Sequence, residues 1–154
     1  MEPPPSMISV HILLADDDGD DRYFFRKAVT TLPFQVQLTT VDDGAKLMAY
    51  LSENSTKLPD VLFLDYNMPR KNGFECLSEI KSSPVLKTLP VIMYSTYVHD
   101  DVADMLYERG AHYYIRKAGL DELQKLIQII LTLTTKGELV RPTREKFILS
   151  LLEM

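Results

Sequence analysis

Four apolar residues, Val61-Leu62-Phe63-Leu64, run without alternation and stop at Asp65. A strand with one wet face would alternate; an unbroken run needs cover on both faces, as in a parallel sheet clothed by helices. The same pattern recurs. Val10-His11-Ile12-Leu13-Leu14-Ala15 ends in Asp16-Asp17-Asp18, Val91-Ile92-Met93-Tyr94 follows Pro90 and ends in Ser95-Thr96, and Tyr113-Tyr114-Ile115 ends at Lys117. Gln35 to Val41 alternates weakly, with Val36, Leu38 and Thr40 on one side, and reads as an edge strand. Helical periodicity fills the gaps. Phe25, Ala28, Val29 and Leu32 form one face from about Asp20 to the stop at Pro33, and Leu47, Met48 and Leu51 follow Gly44. Phe74, Leu77 and Ile80 lie within Gly73 to Ser83. Val102, Met105 and Leu106 precede Gly110, placed to end that helix, and Leu123, Leu126, Ile127, Ile130 and Leu131 lie within Leu120 to Leu133. Five strands alternating with five helices predict a flavodoxin-like α/β fold: a doubly wound parallel sheet, expected in the order 2-1-3-4-5.

The 154 residues suit one domain, enough to bury about 70 % of the unfolded surface. Residues 8–136 are expected to form it, after a disordered Pro-rich lead-in at 1–7. Residues 137–154 make a C-terminal extension, read as a short helix capped by Thr143 or as a strand. As a helix it would carry Phe147, Ile148, Leu151 and Leu152 on one face, in need of cover from the domain or a partner. A net charge of −5 argues against nucleic acid, and no apolar run reaches the ~20 residues of a membrane span. A single cysteine, Cys76, and an N-terminus unlike a signal peptide make the cytoplasm the expected compartment. His11, His99 and His112 lack metal-ligand spacing.

The ends of parallel strands form the rim where such folds do chemistry. Here they deliver Asp16 and Asp17, Asp65 with Asn67, Ser95 with Thr96, and Lys117. Three carboxylates crowded together repel, and a divalent cation relieves this. The oxygen-only set suits Mg²⁺, with Asp17, Asp65 and the Asn67 carbonyl as direct ligands and Asp16 acting through water. A carboxylate can also accept a phosphoryl group, whose transition state spreads charge over three oxygens. Mg²⁺, the Lys117 ammonium and the Ser95 hydroxyl could each hold one.

The motifs Leu14-Ala-Asp16-Asp17, Asp65-Tyr-Asn67-Met-Pro69, Met93-Tyr-Ser95 and Tyr114-Ile-Arg-Lys117 resemble the receiver domain of two-component response regulators over roughly residues 9 to 133. The resemblance implies that a histidine kinase, or a histidine phosphotransfer protein, phosphorylates Asp65 with Mg²⁺. It makes Ser95 the switch hydroxyl, Lys117 the phosphate-contacting lysine and Tyr114 the aromatic switch. Two positions depart. Ala118 replaces the family's cis proline, and a cis bond there would cost ~2.5–4 kcal/mol, so a trans Lys117–Ala118 bond is expected with Gly119 absorbing the altered path. Thr96 is larger than the residue the family often has, and is expected to narrow access to the phosphoryl group.

The expected role is that of a single-domain signalling phosphoacceptor rather than an enzyme. With no room for a DNA-binding module after the fifth helix, output would pass through protein contacts or onward phosphorelay. The fourth-helix, fifth-strand and fifth-helix face, with Tyr97, His99, Tyr107, Arg109, His112 and Tyr113, or the C-terminal extension, offers a surface for a partner or homodimer. Two competing readings exist. Asp16-x-Asp18 resembles the nucleophile motif of haloacid-dehalogenase phosphatases, although the Thr expected after it is missing. A phosphate-independent binding module would keep the fold but lose the acidic pair or the lysine, and neither is lost.

Overall fold

The computed structural model describes residues 8–97 and 99–151. The lead-in at 1–7 and Leu152 lie outside the described residues. Strands β1 (Ser9–Ala15), β2 (Gln35–Val41), β3 (Val61–Asp65), β4 (Val91–Ser95) and β5 (Tyr113–Arg116) alternate with helices α1 (Gly19–Thr30), α2 (Gly44–Glu53), α3 (Gly73–Ser82), α4 (Asp100–Glu108) and α5 (Leu120–Thr135). All pairings are parallel, in the order β2-β1-β3-β4-β5. This is the expected doubly wound sheet, and β2 lies at one edge as its weak alternation suggests.

The unbroken apolar runs are explained by burial on two sides. Leu13, Leu62, Leu64 and Met93 face α2, α3 and α4, whereas Ile12, Leu14, Phe63 and Ile92 face α1 and α5. Every residue of β3 and β4 is buried. The first three helices begin where polar side chains take up their first N–H groups. Asp18 accepts from the amides of Asp20 and Asp21, and Asp43 accepts from that of Lys46. Asn72 and Glu75 form a reciprocal capping box. Gly110, at φ +110°, ends α4 in the left-handed region that favours glycine.

Two helix faces differ from their expected form. In α4 the buried residues are Ala103 and Leu106, while Met105 is 36 % exposed. Ala103 takes the inward position beside Leu106, and Met105, two residues on, lies on the opposite side of the helix. In α3, Cys76 is wholly buried beside Leu77 and Ile80, and Phe74 is half-buried beneath the Arg109 guanidinium. Burial pushes the Cys76 thiol up to about 12, which makes it a packing residue.

The C-terminal segment is neither a full helix nor a full strand. It forms a short 3-10 turn, Arg144–Lys146, then a single parallel bridge between Ile148 and Tyr114. Thr143 begins the turn without a side-chain cap. Its apolar residues do not share one face, because the turn ends at Phe147 and only the residues after it run extended beside β5. Phe147 and Ile148 join the α2–α3–α4 layer, whereas Leu149 and Leu151 join the α1–α5 layer.

Candidate functional site

The carboxyl ends of β1, β3, β4 and β5 meet at one rim, which opens into a cleft of about 550 Å³. Asp17, Asp65, Asn67, Ser95, Thr96 and Lys117 line it, together with the first turn of α1. Asp16 is wholly buried behind it, and Asp65 is 3 % exposed at the tip of β3. One carboxylate oxygen from each of Asp16, Asp17 and Asp65 lies within 4.8 Å of the others, a spacing one cation can span. The set is all oxygen, which fits a hard divalent ion.

Both Asp16 oxygens are engaged. Oδ1 accepts from the Asp18 amide at 3.0 Å, and Oδ2 lies 3.0 Å from Lys117 Nζ. Asp65 Oδ1 accepts from the Asn67 amide at 3.2 Å, and its Oδ2 lies 3.3 Å from Lys117 Nζ. Lys117 also reaches Asp21 Oδ2 at 2.8 Å and lies 5.2 Å from the Tyr94 ring centroid. Burial works against its charge, but Asp21, Asp16 and Asp65 outweigh that and hold the ammonium above the ordinary lysine range. Burial pushes the Asp65 carboxyl up to about 7, aided by Asp16 and opposed by Lys117. One ammonium thus leaves the acidic cluster short of positive charge.

The loop behind Asp65 is held by close backbone packing. Gly73 N–H donates to Tyr66 O at 2.9 Å, and a Cβ on Gly73 would lie 2.5 Å from Asp65 O. A Cβ on Gly44 would lie 2.0 Å from Lys71 O. Both positions require glycine because another backbone passes too close for any side chain.

Lys117 reaches Asp65 without a proline after it. The Lys117–Ala118 bond is trans, as expected. Gly119, however, adopts φ −60°, open to any residue, so no glycine-specific path is used. The aim of Lys117 comes from the carboxylates. Asp21 was not among the residues singled out in the sequence: it is hidden in the acidic stretch Asp16 to Asp21, and only its helical position turns it toward Lys117. Ser95, 2 % exposed, has its hydroxyl 3.4 Å from Tyr97 O. Tyr114 is wholly buried, with the Ser95 hydroxyl as the polar neighbour of its phenol. Asp18 is occupied as the cap of α1, which removes it from the phosphatase-type pair with Asp16.

A doubly wound domain with an acidic rim and an opposed lysine defines the class of aspartate-centred phosphosignalling domains. The response regulator receiver domain family matches residues 12–130, and the chain belongs to that family. It is similar to the response regulator Rcp1 of Synechocystis sp., with 34 % identity over 131 residues, covering 81 % of this chain and 86 % of that protein. It also resembles the DNA-binding transcriptional regulator NtrC of Klebsiella pneumoniae, 32 % identical over 115 residues, but this covers 74 % of the chain and 23 % of that longer protein. Among solved structures, the phosphorylated cyanobacterial phytochrome response regulator RcpA superposes with a TM-score of 0.75 at 31 % identity, covering 84 % of this chain and 96 % of that one. The Mn²⁺-bound form of Rcp1 gives 0.73 at 30 % identity, covering 87 % and 99 %. The family carries a divalent-metal site and implies a histidine kinase or phosphotransfer partner. No helix among the described residues is long and apolar enough to cross a membrane.

Proposed function

We propose that this chain is a single-domain response regulator that takes a phosphoryl group from a phosphohistidine onto Asp65 and signals in the cytoplasm through protein contacts or onward phosphorelay. The observation that carries this reading is the Lys117 ammonium held 3.3 Å from Asp65 by carboxylates of two other segments, in a cleft that Ser95 also lines.

Asp65 is the nucleophile. Its oxygen attacks phosphorus, the P–N bond to the donor imidazole breaks, and the electron pair returns to that nitrogen. Asp16, Asp17, Asp65 and the Asn67 carbonyl form the metal site; bound there, Mg²⁺ supplies neutralisation of charge on the phosphoryl oxygens. Lys117 contacts a second oxygen and Ser95 a third. The same carboxylates that anchor Lys117 keep it protonated, so it acts as a fixed positive charge. Ser95 and Tyr114 then form the switch. The domain is a phosphoacceptor whose chemistry is confined to its own phosphorylation and dephosphorylation.

Incubation with Mg²⁺ and a small phosphodonor such as acetyl phosphate, followed by mass analysis, tests this. One phosphate is expected, absent from Asp65→Asn; phosphate retained in that variant would sink the reading. Thr96 lies in the same cleft, exposed at its mouth. Thr96→Ala is expected to lose phosphate several-fold faster, because the shorter side chain admits water. Equal phosphate lifetimes would remove Thr96 from the mechanism.

A further inference from the structure

β5 is an edge strand, yet its outer side is already taken. After α5 the chain turns back and lies along it. Tyr114 N–H donates to Phe147 O at 2.9 Å, and Leu149 N–H donates to Tyr114 O at 2.9 Å. A single bridge holds weakly on its own, and an edge left open would invite other strands.

Side chains supply the rest of the grip. Phe147 is wholly buried, its ring centroid 5.3 Å from that of Tyr107 and 6.5 Å from that of Tyr114. Tyr107 Oη donates to Pro142 O at 2.8 Å, and the Arg141 guanidinium lies 4.2 Å from the Tyr107 ring centroid. Arg144 pairs with Asp104 at 2.6 Å. These anchors lie on α4 and β5, the face expected to be open for partners. The segment also encloses Tyr114, whose buried phenol has the Ser95 hydroxyl as its polar neighbour. Tyr114 therefore stands between Ser95 on one side and the Phe147 ring on the other.

We propose that the segment from Leu139 to Leu151 is an intramolecular ligand of the α4–β5 edge, docked through Phe147 and coupled to phosphorylation of Asp65 by way of Tyr114 and Ser95. This rests on the phosphoacceptor reading above. A phosphoryl group on Asp65 draws the Ser95 hydroxyl toward it. The vacated space lets the Tyr114 phenol settle more deeply, and Phe147 packs down behind it. Phosphorylation and segment docking therefore favour the same Tyr114 position. By linkage, each strengthens the other equally. A partner that uses this edge must first displace the segment, and phosphorylation makes that harder.

The test uses the full chain with Mg²⁺ and beryllofluoride, a mimic of the aspartyl phosphate. Beryllofluoride is expected to slow amide exchange at Leu149 about tenfold, within the usual range of coupling between sites. Reciprocally, Phe147→Ala should bind it about tenfold more weakly, with Phe147→Leu between the two. If beryllofluoride binds while Leu149 exchange is unchanged or faster, the coupling is overturned and the phosphoacceptor reading stands. If it does not bind at all, both fall. Should Phe147→Ala not fold, exchange in the unaltered chain and binding by Phe147→Leu still decide.

Discussion

Asp65→Asn is expected to be more stable than the unaltered protein at pH 8 in the absence of metal, while losing both its phosphate and most of its stabilisation by Mg²⁺. Burial is the cause. The folded chain pushes the Asp65 carboxyl from 3.8 up to about 7. Between these values the folded state holds a proton that the unfolded state has released. Stability contributed by this group is therefore lost as pH rises from about 4 to about 7, and the penalty is complete above that. Three pKa units correspond to at most about 4 kcal/mol, and solvent in the open cleft reduces this to about 1–3 kcal/mol. Asparagine carries no such charge, so the metal-free variant should melt roughly 3–8 °C higher at pH 8, with the gap narrowing toward pH 4. Mg²⁺ raises the stability of any fold that binds it in proportion to RT ln(1 + [Mg²⁺]/Kd), a gain the variant should largely forgo. Thermal melts at several pH values, with and without Mg²⁺, are the measurement. Variant and unaltered protein melting alike at pH 8 would show that Asp65 pays no burial penalty.

Gly44→Ala is expected to cost about 3 kcal/mol, the upper end for a group forced into packed structure, because the obstacle is backbone. The new Cβ would lie 2.0 Å from Lys71 O and 2.7 Å from Lys71 Cβ. Either α2 or the loop after β3 must move. That loop carries Asn67, whose amide holds Asp65 Oδ1, so phosphorylation should slow together with the loss of stability. The melting temperature should fall by roughly 6–12 °C. Gly119→Ala is the matched control: nothing lies within 4 Å of its Cβ position and its φ is −60°. Equal melting temperatures for the two variants would show that the Gly44–Lys71 approach can relax freely.

How much of this was legible in the chain depends on how local each cause is. The apolar runs at Val61–Leu64 and Val91–Tyr94 read as doubly buried strands, since unbroken hydrophobicity has few other stable placements. The strand ends pointed to Asp16, Asp17, Asp65, Ser95 and Lys117, and the fold brings these residues to one rim. Met105 was less legible. Helical periodicity fits it as well as Ala103, and only the rotation of α4 in the fold buries one and exposes the other.

Asp21 and the C-terminal segment mark where reading by sequence stops. An aspartate in an acidic stretch looks like helix-terminal charge, and its partner Lys117 is 96 residues away. Phe147 is one of several apolar residues in a tail whose cover the sequence leaves open, and in the fold it completes the core between Tyr107 and Tyr114. The chain by itself determined its strands, helices and acidic rim, because these follow from hydrophobic period and from where apolar runs stop. Tertiary structure alone decided what steers Lys117 and what covers β5, because both depend on contacts between distant segments whose spacing along the chain carries no period.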